Sequence, residues 1–244
     1  MKNIFRIALC LALTLSLISG LSACGKEGTL TAETLNLHNE IKAGSETVYY
    51  GEVSRPKIKI SGRKDVQKSI NSALDELAAQ ILEPVYDYRA EYLDITSQGG
   101  EYFSAADYSL SVYISRQTDE LLFMRSEAYL HEACAASDIE VSSGLCFSLV
   151  TGEEIGLAQL TEDPEGLYAA LMKELKRTAR LEGVKDVDLD YAQELLSDGT
   201  AHWYVDENGL TVSYTAGDIA PRVYGNLYAS LSDEKLAEAG IFLS

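Results

Sequence analysis

Between Ala106 and Ile114 every second residue is apolar or aromatic: Ala106, Tyr108, Leu110, Val112 and Ile114 are separated by Asp107, Ser109, Ser111 and Tyr113. A strand sends successive side chains to opposite faces, so this run demands a sheet with one dry face and one wet face. Antiparallel sheets tolerate that asymmetry, whereas all-parallel sheets are covered on both sides and read as continuous apolar runs. The polar stretch Gln117 to Glu120 predicts a turn, and Leu122, Met124, Ala128 and Leu130 supply one face of a returning strand. Leu145, Phe147 and Leu149 repeat the two-residue period until Thr151-Gly152 turns the chain.

Helical spacing occurs beside these strands. Val66, Ile70, Leu74, Leu77 and Ile81 mark an amphipathic helix that Pro84 ends or kinks before the tyrosines Tyr86, Tyr88 and Tyr92. It follows a strand-like region in which Val48, Tyr50, Ile58 and Ile60 alternate with polar residues and Pro56 suggests an edge. Asp163-Pro164-Glu165 opens a second helix, with Asp as cap, Pro in the first turn and Glu at the positive end of the dipole. Leu167, Leu171 and Leu175 line its face, Gly183 marks its end, and Tyr191 to Leu196 predicts a shorter helix. Trp203 and Val205 then lead through Asn208-Gly209, a hairpin-turn pair, to Leu210, Val212 and Tyr214. With no regular strand–helix alternation, repeat or heptad, the expected class is α+β: antiparallel sheets with packed helices, in two intimately associated subdomains at 47–136 and 137–244.

The N-terminus carries a different message. Lys2 and Arg6 precede an apolar stretch from Ile7 to Ile18, the layout of a signal peptide. Leu21-Ser22-Ala23-Cys24-Gly25 resembles the bacterial lipobox, which implies removal of 1–23 and lipidation of Cys24. The clean apolar run is shorter than the ~20 residues of a spanning helix. The expected location is the outer face of the bacterial cytoplasmic membrane, with the lipid as membrane partner and 24–46, which lacks a sustained apolar face, as a lipidated tether.

The chain has 20 Lys+Arg against 38 Asp+Glu, a formal charge of −18, and loss of Lys2 and Arg6 makes it −20. Such a field repels nucleic acid and favours encounter with cationic proteins. Of four cysteines, Cys10 leaves with the signal and Cys24 takes lipid; Cys134 and Cys146 then form a candidate disulfide or remain as thiols. His131 could join them as metal ligands, but a fourth ligand is not evident, and neither a metal nor another cofactor is expected. Three histidines, no nucleophile elbow and no phosphate loop argue against an enzyme; Asp206 and Glu207 could act as paired carboxylates, but they sit at a turn. Tyr86, Tyr88 and Tyr92 either stack on sugars or pack beside the helix.

Several segments, in order, resemble a known arrangement. Gly144-Leu145-Cys146-Phe147-Ser148-Leu149-Val150-Thr151-Gly152-Glu153, with Leu157 and Leu160, looks like part of a bacterial extracytoplasmic domain family of uncharacterised function. Asn208-Gly209-Leu210, Asp218-Ile219-Ala220-Pro221 and Tyr224-Gly225 are similar to its closing hairpin and turn. Pro56-Lys57-Ile58, Asp65-Val66-Gln67 and Ile70-Asn71 resemble a second domain that commonly precedes it. The pair occurs in the outer part of lysozyme-sensing anti-sigma factors and beside peptidoglycan deacetylase domains. The resemblance implies an envelope-facing recognition module for a lysozyme-like protein or a peptidoglycan fragment, with Asp218, Pro221 and Tyr224 as a candidate binding turn or a purely structural one. Two departures stand out: Tyr129-Leu130-His131-Glu132-Ala133-Cys134 replaces a Gly-Gly-Ala-His stretch, and Ala216-Gly217 replaces an aromatic one. No sigma-binding segment precedes the signal, so direct anti-sigma signalling is not expected; a structural subunit of an envelope complex and a wall-modifying hydrolase are the alternatives.

Overall fold

The computed structural model describes residues 29–99, 103–135 and 137–240. The signal peptide and Cys24 lie outside them. The chain is α+β and divides into two compact units. One contains the described chain up to Val112 together with Ala128–Glu140; the other contains Tyr113–Glu127 and the described chain from Val141 onward.

This corrects the single boundary expected at 136/137. The chain changes unit within three strands, β3 (Ala106–Gln117), β4 (Leu121–His131) and β5 (Ile139–Ser148). The first two are long enough to serve two cores: Tyr108 packs on a tyrosine cluster of the first unit, while Phe123 belongs to the large core of the second. Alternation identifies such strands but does not say where along them the core changes.

In the first unit, β1 (Leu30–Ala43) and β2 (Glu46–Ile60) form a long antiparallel hairpin that runs from the Leu30–Ile60 pair to the Ala43–Glu46 pair, with a register shift between Ile41 and Lys42. The described part of the expected tether is therefore largely a strand. β1 lies at the sheet edge, in the order β1-β2-β3-β4-β5, and most of its side chains are only half-buried. Its stability comes from the backbone ladder with β2, so Leu35, Leu37 and Ile41 among polar neighbours suffice and no dense apolar face appears.

Helix α1 (Lys64–Leu82) buries Val66, Ile70, Leu74, Ala78, Ile81 and Leu82, much as its spacing predicts. Leu77 is half-buried. A shorter helix, α2 (Tyr88–Ser97), follows, capped by Asp87, whose carboxylate accepts from Ala90 N at 3.0 Å. These helices return the chain to the starting end of β2, so β3 runs parallel to it, the one departure from the antiparallel expectation in the described registers. That register covers Tyr49–Ala106 to Ser54–Ser111. Beyond it α1 side chains take over: Asn71 accepts from Ile58 N at 2.9 Å and donates to Ile58 O at 2.8 Å, and Gln67 accepts from Ile60 N at 3.0 Å. Backbone groups beyond the β3 ladder still need partners, which explains two of the polar residues in the upstream resemblance.

The second unit is built on β6 (His202–Asp206), β7 (Gly209–Tyr214) and β8 (Leu227–Leu231), an antiparallel meander in that order. Helices α3 (Pro164–Leu181), α4 (Leu189–Ser197) and α5 (Asp233–Glu238) accompany it. Asp163 caps α3 as its sequence predicts, accepting from Gly166 N at 2.9 Å. Leu167, Leu171 and Leu175 are buried together with Val212, Tyr214 and Ala229. Gly144 allows β5 to approach β6, since a Cβ there would stand 2.7 Å from Trp203 O. The hairpin pairs Asp206 with Gly209, so the two-residue loop is Glu207-Asn208 and Gly209, at φ +116°, takes the unusual conformation.

A tyrosine and carboxylate cleft as the candidate site

The region after α1 concentrates aromatic rings because Pro84 stops the helix and the next turn brings Tyr86 and Tyr88 to the cluster formed by Tyr49 of β2 and Tyr108 of β3 in the first unit. Tyr49 and Tyr88 stack at 5.1 Å between ring centroids, Tyr86 meets Tyr88 edge-on at 5.0 Å, and Tyr108 meets Tyr49 edge-on at 5.4 Å. These are favourable aromatic geometries. Tyr49 is fixed from below, its hydroxyl donating to Ile81 O at the end of α1. Gly51 lets that helix end come close, because a Cβ there would stand 2.7 Å from the same oxygen. Tyr92 instead packs edge-on against Phe103 at 5.1 Å.

Glu132 closes the cluster. Its carboxylate accepts from Tyr88 Oη at 3.1 Å and from Tyr108 Oη, and the two hydroxyls lie 2.9 Å apart. Burial pushes the Tyr108 hydroxyl up to about 12, reinforced by Glu132. Burial also raises Tyr49 and Tyr88, the latter further through Tyr108 and Glu132. All three hydroxyls therefore remain protonated at neutral pH, and the two that meet Glu132 act as fixed donors to it.

A cleft of about 370 Å³ opens here, lined by Tyr86, Tyr88, Tyr108, Glu91 and Glu132 without a basic side chain. A larger hollow of about 760 Å³ lies between β1 and α1, with Glu40, Asp75, Glu83 and Asp87 against Arg89. Pro84, Val85 and Tyr86 border both, forming a ridge on which Val85 is fully exposed and Tyr86 is 57% exposed. An exposed ring beside carboxylates can hold a cation over its face or stack on the apolar face of a sugar.

The sequence singled out Tyr86, Tyr88 and Tyr92 but not Tyr49, Tyr108 or Glu132, which complete the cluster. Tyr88 and Tyr92 pack as one of the two readings expected; Tyr86 faces outward. The only hint of Tyr108 was its place on the dry face of β3, and Glu132 carried no local signal.

The other expected residues lie elsewhere. Cys134 and Cys146 are both free thiols, which corrects the candidate disulfide. Cys134 is exposed on the turn after β4, at φ +58°, while Cys146 is enclosed in the core of the second unit, where burial pushes its thiol up to about 12. His131 pairs through Nδ1 with Asp138 at 2.7 Å, and no three His, Cys, Asp or Glu side chains converge as metal ligands among the described residues. Asp218 accepts from Thr215 N at 2.8 Å and so holds its own turn, with Ile219 buried behind it; Pro221 is exposed and Tyr224 half-buried. Asp206 accepts from Asn208 N at 2.8 Å in the hairpin. A direct check of the cysteines is alkylation of the native chain followed by mass spectrometry. Cys134 should react readily and Cys146 roughly three orders of magnitude more slowly until the protein is unfolded; a Cys134–Cys146 linked peptide would contradict both placements.

No family model matches the chain, and no curated protein matches it. Solved structures that share its fold include two crystal structures of DUF3298 proteins. A member of the DUF3298 family from Bacteroides fragilis superposes with a TM-score of 0.59 at 14% identity, covering 87% of this chain and 94% of that one. A DUF3298 protein from Pseudomonas aeruginosa gives 0.53 at 16% identity, covering 87% and 95%. The likeness to a bacterial domain family of uncharacterised function thus holds at the level of fold.

Proposed function

We propose that this chain is a lipid-anchored binding protein of the bacterial cell envelope, non-enzymatic, that recognises a cationic, lysozyme-like protein. The observation that carries this reading is the cleft of the first unit. It sets an exposed aromatic ring beside two carboxylates, with no basic lining residue, on a chain whose net charge is −18. A lysine or arginine of the partner would lie over the Tyr86 ring and face Glu91 and Glu132, while Val85 provides apolar contact. The charge of the whole chain raises the encounter rate. The lipobox at Leu21 to Cys24 supports the location, and Tyr88 and Tyr108, held protonated as donors to Glu132, support a binding role.

A cell-wall fragment is the second reading, favoured by the outward-facing Tyr86 ring, which suits stacking on a sugar. Both are tested by titrating the full chain with lysozyme and, separately, with muropeptides at low and moderate salt. Lysozyme binding should survive moderate salt, and Tyr86→Ala should weaken it by roughly tenfold or more. Tyr86 is exposed, so the substitution leaves the fold intact. Binding by muropeptides alone would replace the first reading with the second; lysozyme binding indifferent to Tyr86→Ala would remove the cleft from the reading.

A further inference from the structure

The first unit carries its charges unevenly along its length. From Lys57 to Lys68 the chain has five cations, Lys57, Lys59, Arg63, Lys64 and Lys68, against Asp65 alone, although the whole chain is at −18. The fold gathers them at one end: β2 finishes at Ile60, α1 begins at Lys64, and β1 begins at Leu30 directly opposite Ile60. Ser61 N donates to Thr29 O at 3.2 Å, so the first described residue sits among them. Lys57, Lys59, Lys64 and Lys68 are exposed.

Fold stability does not ask for this arrangement. Lys64, in the first turn of α1 beside Asp65, opposes the helix macrodipole, which favours acids there. On β2 the pattern is partly balanced, since Lys59 pairs with Glu33 and Lys57 lies opposite Glu33 in the register. Lys64 and Lys68 lie on α1, outside that strand register. A local choice that works against its own element calls for a use beyond the fold.

We infer that this basic end is a docking surface for anionic phospholipid headgroups, and that it sets the orientation of the first unit on the membrane. The inference rests on acylation of Cys24. Only five peptide units separate Cys24 from Thr29, a reach of at most about 18 Å. The acyl chains therefore hold this end, and no other part of the unit, near the headgroup layer. A strongly acidic body is repelled by an anionic leaflet, and a basic root offsets that repulsion where the chain meets the surface. The cleft then faces away: it lies at the far end of α1, whose 19 residues extend roughly 28 Å. Its Glu91 and Glu132 are kept out of the leaflet's field.

The test uses the full acylated chain in vesicles of neutral phosphatidylcholine and in vesicles containing phosphatidylglycerol, with lysine labelling read by mass spectrometry. Lys57, Lys64 and Lys68 should label about fivefold more slowly on anionic than on neutral vesicles, and the difference should fade at high salt. Lys42, exposed at the opposite end of β1 in the same unit, serves as the internal reference. In a Lys64→Glu/Lys68→Glu chain, both positions being exposed, the protection of Lys57 should disappear while circular dichroism is unchanged. Equal labelling on the two vesicle types, with acyl groups present on Cys24, would overturn the docking surface and leave the anchor standing. An unmodified Cys24 in protein recovered from membranes would remove the anchor and the inference together.

Discussion

Gly209→Ala should destabilise the second unit by about 3–5 kcal/mol, because a strained backbone and a backbone overlap coincide at this glycine. Two independent penalties meet at this position. The backbone stands at φ +116°, a conformation that costs an L-residue about 1–3 kcal/mol. An added Cβ would also stand 2.2 Å from Leu231 O and 2.9 Å from Ser232 Cα. Those are backbone atoms of the neighbouring strand β8 and of the N-cap of α5, so no side-chain rotation relieves the overlap. Either β7 separates from β8 or the hairpin reopens, and Leu210, fully buried next to it, loses its packing in both cases. The chain contains a single tryptophan, Trp203, on β6 beside this hairpin, so its fluorescence in a denaturant titration reports the second unit specifically. Gly144→Ala, which meets Trp203 O and Tyr204 across β5, provides a comparison at a position without a positive φ. A Gly209→Ala chain within about 1 kcal/mol of the parent would show that the hairpin is far more plastic than this geometry allows.

The same hairpin shows how far the sequence could be read. Asn208-Gly209 announced a tight turn, and one is present, yet the loop is Glu207-Asn208 and the positive φ belongs to Gly209. The turn chemistry was legible and its register was not, because a one-residue shift exchanges side chains between the two faces without altering the local composition. Helices α1 and α3 were legible for a stronger reason, since several buried positions repeat at helical spacing and Asp163-Pro164 supplies a start signal. Strand β1 was not. Its pairing energy lies in backbone bonds to β2, which leave no trace in the side-chain pattern of an edge strand, and the polar residues between Gly25 and Ser45 read as a tether. The candidate site divides in the same way. Tyr86, Tyr88 and Tyr92 are neighbours in sequence and could be seen as a group. Tyr49, Tyr108 and Glu132 come to them from β2, β3 and the residue following β4, through a parallel pairing that no local signal predicts.

Above about pH 8.5 the second unit should lose stability steadily with rising pH, and Cys146 is the reason. Its thiol is fully buried, and burial pushes its pKa up to about 12, with Glu154 adding to the shift. In the unfolded chain the same group ionises near 8.5. Between those values the folded state retains a proton that the unfolded state has released. The unfolded state therefore binds fewer protons, and the unfolding free energy falls by about 1.4 kcal/mol per pH unit. Below the unfolded pKa both states hold the proton and Cys146 contributes no slope. Tyr214, buried in the same core and raised by desolvation, adds its own slope above about pH 10. In the first unit burial raises Tyr49 and Tyr88, whose alkaline loss begins only near pH 10. The two units are thereby separated by pH. Trp203 fluorescence should report a stability decline of roughly 2 kcal/mol between pH 8.5 and 10, while tyrosinate absorbance from the first unit's buried rings stays silent. Cys146→Ala lowers stability at every pH through lost packing, but it should abolish the slope in that interval and leave the loss above pH 10 in place. A slope that persists in Cys146→Ala would place the responsible group elsewhere; a parent chain with no decline before pH 10 would mean that this thiol is not enclosed in the core as the fold has it.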